Sequence, residues 1–281
     1  MSGQAHSEQV TLRLAGGHGA GRAGRLQRAK QADILQPVNS STLQQRVPAN
    51  LRDKDHYWIG LSQRARTLIY ARDRVNPADL STYEAMADPK WKRKLCVRSS
   101  SNIYNQSLVA SMMEANGVDQ TEAWAKGLVA NFARKPSGGD TDQLKAVAAG
   151  QCDIALANTY YLGRLLNSNK QSDKAIGQKL AVFWPNQGED QRGAHVNVSG
   201  AGITKHAKNL QAAEKLLEFL VTDTSQQWYA EVNNEYPVVP GVQISDTLQS
   251  FGAFKADSLN LTRLGEINGA AVKLMDRAGW R

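Results

Sequence analysis

From residue 32 onward, apolar positions fall into short groups, and the spacing within each group predicts its element. Ile34-Leu35 with Val38, then Tyr57-Trp58-Ile59-Gly60-Leu61 and Arg66-Thr67-Leu68-Ile69-Tyr70-Ala71, are rich in β-branched and aromatic residues and predict strands. A short helix is expected over 82–86, with Ser81 as its N-cap and Pro89 ending it. Leu95-Cys96-Val97-Arg98 predicts a strand and Ser99-Ser100-Ser101-Asn102 a polar turn. Helices are expected through 108–113, over 122–133 and over 141–149. The last places Leu144, Val147 and Ala148 on one face and is capped by Gly150. Cys152-Asp153-Ile154-Ala155-Leu156-Ala157 predicts a strand that stops at Tyr160-Tyr161. A helix through Leu165, strands at 180–184 and 196–203, and helices at 210–221 and 224–232 complete the series.

Strands alternating with helices predict an α/β protein with mostly parallel sheets. No repeat of fixed period appears. The stretch from about residue 80 to 185 holds a complete β-α-β series and can form one lobe, with the flanking segments in another and a cleft between them. Residues 1–27 differ. They carry Gly16-Gly17-His18-Gly19-Ala20-Gly21 among scattered arginines, show no core-facing periodicity beyond Val10-Thr11-Leu12, and contain no apolar stretch like that of a signal peptide. They are expected to be poorly ordered.

Composition narrows the class. A hydrophobic fraction of 41% with 21% charged residues is that of a globular chain, not a disordered one. No apolar run approaches the roughly eighteen residues of a membrane-spanning helix. The excess of 34 Lys and Arg over 26 Asp and Glu attracts anions in general. No basic stripe interleaved with aromatics accompanies it, so a nucleic-acid partner is not expected. Cys96 and Cys152 each lie in a β-like run; on neighbouring parallel strands they could form a disulfide, which would point to export. Two small buried hydrophobes account for them equally well.

The chemistry concentrates at Tyr160-Tyr161. A strand ending there delivers phenol oxygens to the edge where open α/β sheets hold ligands. A bound cation can strip the phenol proton, and the resulting phenolate is a hard anionic donor suited to a small, highly charged ion such as Fe³⁺. A tyrosine pair that buries one ring and exposes the other hydroxyl is the structural alternative. Tyr104 follows its own strand by a turn and is a third candidate donor. Three polar turns, at 99–104, 138–142 and 158–161, can gather along one edge, where helix N-termini offer N–H groups to an anion. Arg66, Arg98 and Arg134 could pair with such an anion, or equally be salt-bridged. Enzyme signatures are missing: no nucleophile elbow, zinc-protease helix or phosphate loop occurs. The Gly-x-Gly-x-x-Gly spacing at 19–24 neither follows a strong strand nor opens a clear helix. His56, His195 and His206 are scattered and are read as surface or supporting residues.

The runs Arg98-Ser99-Ser100-Ser101-Asn102-Ile103-Tyr104-Asn105-Gln106-Ser107, Gly138-Gly139-Asp140-Thr141-Asp142-Gln143, Ala157-Asn158-Thr159-Tyr160-Tyr161 and Asn233-Asn234-Glu235-Tyr236-Pro237-Val238 together resemble the ferric-iron-binding periplasmic proteins of bacterial iron ABC transporters, especially the cyanobacterial type. The resemblance runs from about Ala32 to Arg281 and implies a two-lobed type II periplasmic-binding-protein architecture. Residues 28–79 with 190–281 would form the N-terminal-type lobe, and 80–189 the lobe carrying the tyrosines. It also implies a monomeric, non-catalytic protein of the periplasm that binds Fe³⁺ through Tyr104, Tyr160 and Tyr161 and delivers it to an ABC permease in the inner membrane. The family's first β-α-β unit, its N-terminal tyrosine ligand and its signal peptide have no counterpart here, so the first lobe is expected to be incomplete. Oxyanion or small-organic-ion binding, and a non-functional truncated remnant, stand as the alternatives.

Overall fold

The computed structural model describes residues 22–281. In chain order they form α1 (Arg22–Gln31), β1 (Leu35–Gln36), α2 (Ser41–Arg46), β2 (Ile59–Ala71), β3 (Leu95–Cys96), α3 (Ile103–Asn116), α4 (Val118–Ala130), α5 (Asp140–Ala148), β4 (Ile154–Asn158), α6 (Thr159–Leu166), α7 (Gln171–Gln178), β5 (Leu180–Phe183), β6 (Val196–Ala201), β7 (Ile203–Thr204), α8 (Leu210–Leu220), α9 (Asp223–Asn233), β8 (Tyr236–Pro237), α10 (Asp246–Ser250) and α11 (Leu261–Arg277), with short 3₁₀ turns between some of them.

The organising element is β2, one strand of 13 residues where the apolar pattern predicts two. Its first half pairs with β6 and β8, and its second half with β4 and β5. The polar run Ser62-Gln63-Arg64 looks like a break but lies within the strand. Its side chains find partners there: Ser62 Oγ donates to Glu235, and Gln63 Nε2 donates to the Pro237 carbonyl at 2.7 Å. Hydrogen bonding thus offsets the desolvation that would otherwise exclude such residues from a buried strand.

All four ladders made by β2 are antiparallel, and among the described residues the parallel pair of named strands is β3 with β4. The expectation of mostly parallel sheets is therefore corrected, although the α/β class holds. Hydrophobic periodicity records which face of a strand is buried and carries no information about its direction. The β3–β4 register, Leu95 opposite Ile154 and Cys96 opposite Ala155, brings the two cysteines together, and Cys96 and Cys152 form a disulfide.

Leu68, Ile69, Leu95, Leu108, Met112, Leu144 and Ile154 form the core under this half of β2. The C-terminal segment closes it. Helix α11 packs on α1, α3 and α4, and the fully buried Trp280 meets Trp124 and Phe132 edge-on while its indole N–H donates to the Arg98 carbonyl at 2.9 Å.

Two local expectations change. Over 82–86 the chain forms a 3₁₀ turn, Glu84–Ala87, and Thr82 Oγ1, not Ser81, accepts the Ala85 N–H at 3.0 Å. Residues 22–27, expected to be poorly ordered, belong to α1, whose Ala23, Leu26 and Gln27 are buried. That face holds two apolar residues, Ala23 and Leu26, with Gln27 beside them, among arginines and Gly24, so its apolar period is hard to detect. The expectation for residues 1–21, with most of the glycine-rich spacing, lies outside the described residues.

Candidate functional site

Strand β4 is buried throughout and ends at Asn158, the residue just before α6; the Asn158 side-chain oxygen accepts from Arg66 and does not cap the helix. Tyr160 and Tyr161 therefore stand in the first turn of a helix. Their rings stack with centroids 4.1 Å apart. Tyr104 occupies the equivalent place in α3, one residue inside a start capped by Asn102, whose side-chain oxygen accepts the Tyr104 N–H at 3.1 Å. The fold brings all three phenols together. The Tyr104 and Tyr160 hydroxyls share a hydrogen bond of 2.6 Å, both residues are 5% exposed, and Tyr161 is half-buried.

The phenols line a cleft of about 530 Å³ whose walls include Arg25 and Arg28 from α1, Arg64 from β2, Arg98, Gln106 and Ser101 around the start of α3, Arg164 from α6, and Glu235. Arg64, Arg164 and Glu235 were not singled out from the sequence. One signal for Arg64 was available: it shares a face of β2 with Arg66 by the two-residue period. Gly163 explains how Glu235 reaches the cleft. A Cβ at Gly163 would lie 2.8 Å from Asn234 Cβ, so only glycine lets this segment approach α6 so closely.

The electrostatics are those of crowded phenols under arginines. The Arg164 guanidinium lies 4.9 Å from the Tyr160 ring centroid and 5.7 Å from that of Tyr161, and Arg64 lies 5.6 Å from that of Tyr160. Burial, and then the neighbouring phenols Tyr104 and Tyr161, push the Tyr160 pKa far above its ordinary value, with Arg64 acting in the opposite direction. Burial, followed by Tyr104, also raises that of Tyr161. Burial works against the Arg64 charge, but Glu235, whose carboxylate accepts from Arg64 Nε at 3.2 Å, and then Tyr104 and Tyr160 hold its pKa above normal. Without a cation, these groups keep their protons. A cation placed among the hydroxyls would supply positive charge and favour the phenolate form.

The predicted arginines separate into distinct roles. Arg66 is buried, pairs with Asp140 at 3.1 Å and is absent from the cleft wall. Arg134 donates to Gln143 Oε1 at 3.0 Å and also stands outside the cleft. Arg98 does line it, with Nη1 3.7 Å from Asp140 Oδ1. Of the three polar turns, those at 99–104 and 158–161 contribute to the cleft wall. The turn at 138–142 instead turns Asp140 inward, where it is fully buried. Among the histidines, His206 is exposed and His56 half-buried. His195 is buried with Nε2 2.9 Å from Ser107 Oγ, and burial, then Arg192 and Arg66, bring its pKa down to about 3. No group of three or more His, Cys, Asp and Glu side chains among the described residues could hold a metal ion.

Comparison with known proteins places this cleft in context. The family model for bacterial extracellular solute-binding proteins matches residues 20–256. Iron uptake protein A2 of Synechocystis sp. (strain ATCC 27184 / PCC 6803 / Kazusa) is 52% identical over 259 residues, covering 92% of this chain and 75% of the relative. The major ferric iron-binding protein of Neisseria meningitidis serogroup B is 28% identical over 255 residues, covering 89% and 73%. The solved structure of a Trichodesmium protein, described as IdiA or FutA in complex with iron and citrate ligands, superposes with a TM-score of 0.90 at 54% identity, covering 92% of this chain and 81% of that one. The α/β arrangement is accordingly that of the type II periplasmic solute-binding proteins. By family model, sequence and fold alike, this chain is a member of the bacterial extracellular solute-binding proteins.

Proposed function

We propose that this protein binds ferric iron as cargo in its cleft, through the phenolate oxygens of Tyr104, Tyr160 and Tyr161, and hands it to an ABC permease without catalysing a reaction. The carrying observation is the 2.6 Å contact between the Tyr104 and Tyr160 hydroxyls at the wall of an arginine-lined cleft, with the Tyr161 ring stacked on Tyr160. Oxygen-only donors favour a hard cation over copper(I) or zinc. The names of the relatives, iron uptake and ferric iron-binding proteins, support the same cargo.

The two halves of β2 pair with different strands, and the cleft takes residues from both sets: Arg64 and Glu235 on one side, Tyr104 and Tyr160 on the other. This supports two lobes that close on the ion, with the boundary inside β2: residues 66–71 pair with β4 and β5 of the 80–189 lobe, not with the lobe of 28–79 and 190–281 to which the sequence pattern assigned them. The periplasm is the compartment that fits an extracellular solute-binding family and a disulfide.

A second reading, binding of an oxyanion or small organic anion, draws on Arg25, Arg28, Arg64, Arg98 and Arg164 around the cleft. One experiment separates the two. Titration of the purified protein with ferric citrate should develop a phenolate-to-iron absorption band. Replacing Tyr160 and Tyr161 together by Phe should abolish the band and iron binding while leaving citrate affinity nearly intact. A colourless wild-type protein with no thermal shift on iron addition would overturn the iron reading.

A further inference from the structure

We propose that Arg66 is the positioning residue of the ion site, the group that sets the distance between its two tyrosine-bearing turns. The inference rests on the iron reading above and deepens it.

Arg66 does not line the cleft, yet its guanidinium touches every segment that delivers a phenol. Nη2 donates to Asn105 Oδ1 at 2.5 Å, in the residue directly after Tyr104, and to the Leu156 carbonyl at 2.9 Å. Nη1 donates to Asn158 Oδ1 at 3.0 Å, two residues before Tyr160, and to Asp140 Oδ2 at 3.1 Å. Asp140 Oδ2 also accepts the Asn158 backbone N–H at 2.9 Å, so the carboxylate grips the end of β4 from the other side. Asn105 Nδ2 continues the network to the Arg98 and Ser99 carbonyls at 2.9 and 3.2 Å, which closes the turn before α3. The guanidinium also lies 5.6 Å from the Tyr104 ring centroid.

This task suits arginine and no other cation. A planar fork with five donors in fixed directions can hold acceptors from several segments at set angles, whereas lysine presents one point of charge. Metal–ligand distances tolerate only a few tenths of an ångström, so oxygens from α3 and α6 need such a common reference. Asp140 neutralises the buried charge, which leaves Arg66 no role as an anion receptor. Arg64 and Arg66 share one face of β2 and differ in position along it: Arg64 stands at the cleft wall, and Arg66, two residues on, holds the scaffold under the tyrosines.

The test is ferric titration of wild type, Arg66→Lys and Asn158→Ala, following the phenolate-to-iron band, with far-ultraviolet circular dichroism as the fold control. Arg66→Lys keeps the charge opposite Asp140 but loses the fork. Asn158→Ala removes one acceptor while keeping the backbone bond to Asp140. Arg66→Lys is expected to weaken iron binding at least 10-fold and to shift the band per bound ion. Asn158→Ala should do the same to a smaller extent. If Arg66→Lys does not fold, Asn158→Ala decides alone. Lowered melting temperatures with affinity and band unchanged would leave Arg66 a purely structural role and overturn the proposal. A wild-type protein without the band would instead overturn the iron reading itself.

Discussion

The hydroxyls of Tyr104 and Tyr160 are 2.6 Å apart although the residues are separated by 56 positions and belong to two different helices. Two phenolates cannot be held at that separation without a cation between them, since each would repel the other in a partly desolvated site. On the iron reading proposed above, ion entry would exchange this hydrogen bond for metal ligation and release phenol protons.

Iron affinity should therefore fall in acid. Tyr160 and Tyr161 both have raised pKa values and are protonated at neutral pH, so binding releases their protons. Loss of these two protons alone makes the binding constant drop at least about 100-fold for each unit of pH lowered, at fixed free ferric ion. Titrations at pH 7.5 and 5.5 check this, and equal affinities at the two would contradict phenolate ligation.

His195 gives the folded state a separate acid sensitivity. It is buried, and its pKa stands at about 3, against an ordinary 6.5. Below pH 6.5 the unfolded chain takes up a proton that the folded chain resists, so stability is fully present above 6.5 and is lost as pH falls towards 3. The loss reaches about 2 kcal/mol at pH 5. His195→Gln should flatten this part of the stability curve, measured by urea unfolding between pH 7 and 4.

Reduction of the Cys96–Cys152 disulfide should lower the melting temperature markedly. The bond closes a sequence separation of 56 residues, and the loss of chain entropy in the unfolded state corresponds to about 4 kcal/mol. Calorimetry with and without reductant reads it directly. The two half-cystines lie at β3 and just before β4, the strands leading into the Tyr104 and Tyr160 turns, so the reduced protein should also bind iron more weakly.

Gly163→Ala should disturb both fold and site. Its Cβ would meet Asn234 Cβ at 2.8 Å, and Asn234 is already fixed in the left-handed region at φ 54°. Forcing the two segments apart should cost about 1–3 kcal/mol, as overpacking in a tight contact does, and move Glu235 away from Arg64. Thermal unfolding of the variant checks the first effect, and the salt dependence of ligand binding the second.

Helix α5 was legible because Leu144, Val147 and Ala148 share one face and Gly150 follows its end, and β4 because an unbroken apolar run of that length suits a buried strand. Tyr104, Tyr160 and Tyr161 were legible as a group because each follows a strand by a turn. The polar run in β2 misled, since Ser62 and Arg64 look like loop residues until Glu235, far along the chain, is placed beside them.

The sequence alone determined that strands near 95–98, 152–157, 180–184 and 196–203 alternate with helices, that Tyr104, Tyr160 and Tyr161 stand just beyond two of those strands, and the chemistry their oxygens favour, because these follow from local period and donor type. Tertiary structure alone decided that the sheets are mainly antiparallel, that five arginines and Glu235 surround the phenols, and that Arg66 lies beneath them and not among them. Strand direction and burial depth depend on partners distant in the chain. A guanidinium reads the same in sequence whether it faces solvent, a cleft or a buried carboxylate.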